Sequence, residues 1–225
     1  MFYEPKDGHG LPKNPFNSLV IPRPIGWISS IDGEGNVNLA PYSFFNGVSY
    51  SPPTVMFASG HGEVEDDGIK DSVRNIIEMG EFVHNFVTWD VRHAMNLSSA
   101  TTSKDVDELA AAELTPIPSK LVKAPRVAES PIHFECKLVH HLYLPNTKGN
   151  SKYSVVFGEV VGVHIADDLI NKEGRIDVGK LHPIARMGYQ DYTEVKAETV
   201  FTLERPGFLS TDDLSTLLNK SDALD

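Results

Sequence analysis

Cysteine is almost missing from this sequence, with Cys136 the only one in 225 residues. A single thiol excludes an intramolecular disulfide and any metal site built from several cysteines. Long apolar runs are missing as well, so no segment suits a bilayer span. Residues 1–10 hold no apolar stretch of the kind a secretory signal needs. Positive charge is the third shortage: 20 Lys and Arg stand against 31 Asp and Glu, a net charge of −11. Nucleic acids and anionic membranes call for clustered basic residues, and no such block occurs. These absences predict a cytoplasmic soluble protein without a nucleic-acid or membrane partner. Any phosphorylated ligand must then be held by local donors, not by the overall field.

What the chain does have is period-2 alternation. Over residues 25–31, Ile25, Trp27, Ser29 and Ile31 fall on one face and Gly26, Ile28 and Ser30 on the other. Asp32-Gly-Glu-Gly-Asn36 then reads as a hairpin. A short strand is predicted over 54–59, after the Pro52-Pro53 pair. Two longer strands follow. Over 132–144 one face carries Phe134, Cys136, Leu138 and His140, so His140 is expected in the core. Over 154–165, Val155, Phe157, Val161, Val163 and Ile165 form the expected apolar face, with Gly158 and Gly162 opposite. Glycines on one face of a long strand mark a bend or close approach, as in a curled barrel.

Helical pattern is sparser. Asp71 or Ser72 is positioned to cap a helix over 71–79, with Val73, Ile76 and Ile77 on its buried stripe and Gly80 as its stop. A strand over 81–88 comes next, then helices from Asp90 to Ser98, over 105–112 and over 211–219. The prediction is one α+β (mainly β) domain over 1–205, an antiparallel barrel with a few peripheral helices. Residues 206–225 form a polar tail.

Two ordered segments carry the chemistry. The first runs Arg23-Pro24-Ile25, an alternating strand, Asn38-x-Ala40-Pro41, Ser43-Phe44-Phe45-Asn46 and Pro52-Pro53. The second is Lys70-Asp71-Ser72-x-x-Asn75 at a helix start, where unpaired N–H groups and a partial positive charge favour an anion. Singly, each residue has a plainer reading. Asn36, Asn38 and Pro41 suit turns, Phe44 and Phe45 suit the core, and Lys70 is a solvated charge beside Glu65, Asp66 and Asp67. As an ordered set they resemble the flavin reductase-like family of FMN-binding split barrels. Three further stretches are similar to family segments: Glu81–Phe86, His133–Lys137 and Leu181–Tyr192.

The resemblance implies an antiparallel split β-barrel, FMN as cofactor and NADH or NADPH as donor, with electrons passed to an acceptor. A flavin electron carrier without NAD(P)H activity is the alternative. It also implies a homodimer with the flavin site at the subunit interface. On this reading Ser43, Phe44, Phe45 and Asn46 run along the flavin ring, after Ala40 and Tyr42, with Tyr42 or Phe45 covering its apolar surface. Ser29 and Ser30 point hydroxyls at the ribityl chain or phosphate. Lys70, Asp71, Ser72 and Asn75 take the phosphate. Asn85, polar on an apolar face, must find partners in a neighbouring loop or in the flavin. His133 either approaches the flavin or lies on the surface, and Arg186 meets either a phosphate or a carboxylate. Cys136 reads as a small buried apolar residue. Where the reductases of two-component monooxygenases carry Gly-Asp-His, this chain has Gly149-Asn150-Ser151-Lys152, nearer the flavoredoxin branch.

Overall fold

The structure is a computed structural model that describes residues 1–60, 68–100, 108–145, 152–203 and 205. Its first hairpin is built by Asp32, whose carboxylate accepts from the amides of Glu34 and Asn36. That turn joins β1 (Gly26–Ile31) to β2 (Val37–Tyr42). One residue, Ser43, separates β2 from β3 (Phe44–Tyr50), which pairs with β4 (Pro53–Ser59). Helix α1 (Asp71–Met79) leads into β5 (Glu81–Asn85), followed by the short helices α2 (Arg92–Leu97) and α3 (Glu108–Ala111). The small pair β6 (Pro116–Ile117) and β7 (Arg126–Val127) precedes the long strands β8 (Ile132–Leu144) and β9 (Tyr153–Ile165). A last short helix, α4 (Val178–Leu181), leads to the β10 (Ile184–Gly188) and β11 (Asp191–Glu194) hairpin.

Seven strands form one sheet in the order β2-β1-β5-β8-β9-β4-β3, every pair antiparallel. Its two edge strands are neighbours in sequence, so at Ser43 the chain crosses from one edge to the other. Only a curled sheet lets one residue span that gap. Side chains close it: the Tyr42 and Phe57 rings lie 4.7 Å apart, and Phe45 packs where a Cβ on Gly26 would sit. This is the split β-barrel expected, mainly β with peripheral helices.

Two apolar cores flank β1. Inside the barrel, Ile28, Phe57, Phe82, Cys136 and Val156 pack with Val73 and Ile76 of α1. Outside it, Trp27 and Leu39 pack with Met95 of α2, Leu109 of α3 and Val127. Both faces of β1 are therefore buried, and its alternation separates two interiors instead of a wet face from a dry one.

Several expectations need correction. Leu138 pairs with Gly158 but His140 pairs with Phe157, so Val139 is an extra residue in the β8 ladder. The bulge reverses the alternation, and His140 is exposed, not in the core. In β9 the core positions are Ser154, Val156 and Gly158, while Val161, Val163 and Ile165 stand 36, 54 and 37% exposed. Gly158 does mark a close approach, its missing side chain making room for Phe82 and Cys136. Helix α1 has Lys70 at its N-cap with no side-chain cap, so neither Asp71 nor Ser72 serves there, and Ile77 is exposed. Its stop is as expected, with Gly80 left-handed at φ 72°. Helix α2 starts after Val91, not Asp90, and the strand over 81–88 ends at Asn85. The expected 211–219 helix, the start of the 105–112 helix and Gly149–Ser151 lie outside the described residues.

Candidate functional site

The α1 N-terminus faces the inner side of β2. Asn38, Ala40 and Tyr42 share one face of that strand by alternation, opposite Leu39 in the outer core. Asn38 Nδ2 donates to Ser72 Oγ at 2.6 Å, and the Tyr42 hydroxyl bonds Ser72 and Ser59. Burial pushes the Tyr42 phenol up to about 12, so it stays a neutral hydrogen-bonding group. Asn75, one turn along α1, donates to Ser30 Oγ at 3.3 Å. Asp71 takes Arg74 at 2.6 Å. Lys70 precedes this turn half-buried, and among the described residues it forms no ion pair. Glu65, Asp66 and Asp67, beside which Lys70 reads in the sequence as a solvated charge, lie outside the described residues.

A second cluster lies where the chain crosses the split. Arg23 is 6% exposed and donates to Ser43 Oγ at 3.3 Å and to the carbonyls of Asn17 and Val20, the latter at 2.8 Å. Its guanidinium lies 5.5 Å from the centre of the Phe44 ring. Arg23 exchanges backbone hydrogen bonds with Arg186, which donates through its side chain to the Tyr192 hydroxyl and the Tyr189 carbonyl. Asn46 is exposed on β3, while Phe45 turns inward to stack on His84 at 4.4 Å.

The third group is interior. Ser29 and Ser30 are adjacent and so point to opposite faces of β1, both fully buried. Ser29 donates to the Pro125 carbonyl at 2.5 Å and accepts from Asn85, on the side away from α1. Asn85 also donates to the Trp27 carbonyl and accepts from the Val127 amide. His133 is 4% exposed, which corrects the surface reading. Its Nε2 lies 2.8 Å from the Val127 carbonyl and must donate, leaving Nδ1 buried without a partner. Burial holds its pKa below the usual histidine range. Ser29, Asn85 and His133 thus clamp the β7 segment, and the structure does not bring them to the α1 cluster. Arg186 forms no ion pair with a carboxylate among the described residues.

The donor set at α1 fits a phosphate monoester. The helix N-terminus has no side-chain cap, Lys70 adds a cation, and Ser72 with Asn38 adds neutral donors. Among the described residues no three His, Cys, Asp or Glu side chains are placed to hold a metal ion. No helix among them is long and apolar enough to cross a membrane.

Sequence reasoning missed His84, buried on β5, and two α2 residues, Arg92 and Asn96, that line a cavity with Arg186. Their only signal was an arginine opening a helix in an acidic chain.

A curled seven-strand barrel with an uncapped helix at its mouth defines a class, and the chain belongs to the flavin reductase-like family: residues 18–180 match the Flavin reductase like domain. It is therefore of the oxidoreductase kind. It is 37% identical over 180 residues to an uncharacterized protein of Aquifex aeolicus (strain VF5), covering 80% of this chain and 88% of that one. Among solved structures it is similar to nitrilotriacetate monooxygenase component B from Bacillus cereus, with a TM-score of 0.81 and 32% identity over 90% of this chain and 98% of that one. The 2-nitrobenzoate 2-nitroreductase NbaA of Pseudomonas fluorescens follows at a TM-score of 0.72 and 32% identity, covering 87% and 91%. Flavoredoxin of Desulfovibrio vulgaris (Miyazaki F) shares the fold, at a TM-score of 0.68 and 20% identity over 82% and 91%.

Proposed function

We propose that this protein binds FMN and passes electrons from NADH or NADPH through it to an acceptor. The observation that carries the reading is the uncapped start of α1, with Lys70 beside it and Ser72 held by Asn38. FMN supplies the hydride and electron chemistry when bound. The chain's own part is to hold and orient. Lys70, the first amides of α1 and Ser72 neutralise and position the phosphate, and Asn75 steadies that turn against Ser30. The backbone of Ser43–Asn46 offers donors and acceptors to the polar edge of the ring, with Arg23 fixing Ser43. Tyr42, neutral through the working pH range, keeps Ser72 in place.

The protein works in the cytoplasm as a homodimer on this reading. Val139, Val161, Val163 and Ile165 of β8 and β9 are 58, 36, 54 and 37% exposed, more apolar surface than a monomer usefully presents. The flavoredoxin fold neighbour supports a second reading, an FMN carrier that takes its electrons from another protein.

The test is direct. Purified protein titrated with FMN should show flavin absorption bands, and NADH or NADPH added without oxygen should bleach them. Retained colour under both donors would favour the carrier. The Lys70→Ala, Ser72→Ala double variant should bind FMN at least about tenfold more weakly, a loss of roughly 1.4 kcal/mol. Unchanged affinity would remove the phosphate assignment.

A further inference from the structure

A cavity of about 550 Å³ opens between α2 and the β10–β11 hairpin, away from the α1 N-terminus. Arg92 and Asn96 line it from the helix, Arg186 and Gln190 from the hairpin, with Met95 in its wall. Both arginines are fixed by neutral groups. Arg92 stacks on Trp89 with 3.9 Å between guanidinium and ring centre and donates to the Trp89 carbonyl at 2.6 Å. Arg186 stacks on Tyr192 at 4.5 Å and donates to the Tyr192 hydroxyl and Tyr189 carbonyl.

Among the described residues neither arginine forms an ion pair, although the chain carries 31 acidic residues against 20 basic ones. Asp90 and Asp191 are the carboxylates nearest in sequence, and neither pairs with them. The positive field is raised further by Arg23, buried behind Arg186 and bonded to it through the backbone. Among the described residues its own guanidinium contacts carbonyls, Ser43 and the Phe44 ring, and burial, with the charge of Arg186 second, lowers its pKa. Two guanidinium forks held in place, with no carboxylate paired to them among the described residues, suit on one cavity an anion with many oxygens. The amides of Asn96 and Gln190 add donors and acceptors of the kind that hold ribose or base edges.

We propose that this cavity binds the diphosphate of a nucleotide, clamped between Arg92 and Arg186. The inference deepens the donor reading above and rests on it for the ligand's class, because NADH and NADPH carry such a diphosphate. It gives the donor a seat on the chain separate from the phosphate site of α1.

Calorimetric titration of the full chain, loaded with FMN, with ADP tests it, since ADP has the diphosphate and no redox chemistry. ADP should bind one per chain, more tightly than inorganic phosphate and more weakly as salt rises. Arg92→Ala should weaken ADP at least tenfold while FMN fluorescence quenching gives an unchanged FMN affinity. Asn96→Asp, an exposed change that sets a carboxylate in the cavity, should abolish ADP binding in a folded protein. The proposal falls if millimolar ADP gives no binding heat, if Arg92→Ala binds ADP like the parent, if inorganic phosphate binds as tightly, or if excess FMN displaces ADP. NAD(P)H bleaching without ADP binding would sink this site and spare the function. ADP binding that depends on Arg92 without NAD(P)H bleaching would do the reverse.

Discussion

His84 sits on the inner face of β5, 2% exposed, with its ring against Phe45, Phe86 and Phe134. Its Nδ1 has no partner, and burial among these rings, with a smaller push from His133, lowers its pKa from 6.5 to about 3. The unfolded chain takes up this proton near pH 6.5, whereas the folded chain refuses it until about pH 3. In that window the unfolded state binds more protons, so His84 makes stability fall as pH drops from 6.5 towards 3 and has no effect above it. His133, lowered in the same direction, adds to the slope. His84→Phe keeps a ring in the stack and removes the titration. Its urea midpoint should fall less than the parent's between pH 7 and pH 4. Parallel curves would mean that His84 is not held neutral.

At the scale of elements, β8 and β9 meet across their length, and Gly158 is where the interior leaves no room. A methyl group there would overlap the Phe82 ring and touch Cys136. Gly158→Ala should cost about 1–3 kcal/mol of stability, read from chemical denaturation, with the barrel still formed. A change under 0.5 kcal/mol would mean that Phe82 moves aside freely. The ends of these two strands were legible because alternation and turn residues bound them. The bulge at Val139 was not, since one extra residue leaves no mark in composition, and it moved His140 from the expected core to solvent. The stop of α1 was legible at Gly80. The residue at its N-cap was not, because Asp71 turns to Arg74 and Ser72 to Asn38, contacts that depend on the fold. Period 2 alone places Ser29 and Ser30 on opposite faces, and only the second reaches the α1 cluster. The ordered motifs at Asn38–Asn46 and Lys70–Asn75 made that cluster readable. The Arg92–Arg186 cavity joins residues 94 positions apart, and no local pattern encodes it.

At the scale of the molecule, an acidic chain keeps apolar side chains in solvent along β8 and β9, and Val163 is 54% exposed. If the proposed homodimer forms on this face, Val163→Lys should leave the fold intact, because the side chain already meets water, and should shift the mass seen by light scattering from two chains to one. A dimer that survives this change and a second one at Val139 would place the interface elsewhere.

Cys136 is fully buried against Gly158 and Phe82, and burial drives its thiol far above its ordinary pKa. A maleimide or disulfide reagent can therefore reach this sulfur only when the barrel opens. With no second thiol to confuse the signal, the pace of its labelling becomes a clock for how often the whole barrel comes apart.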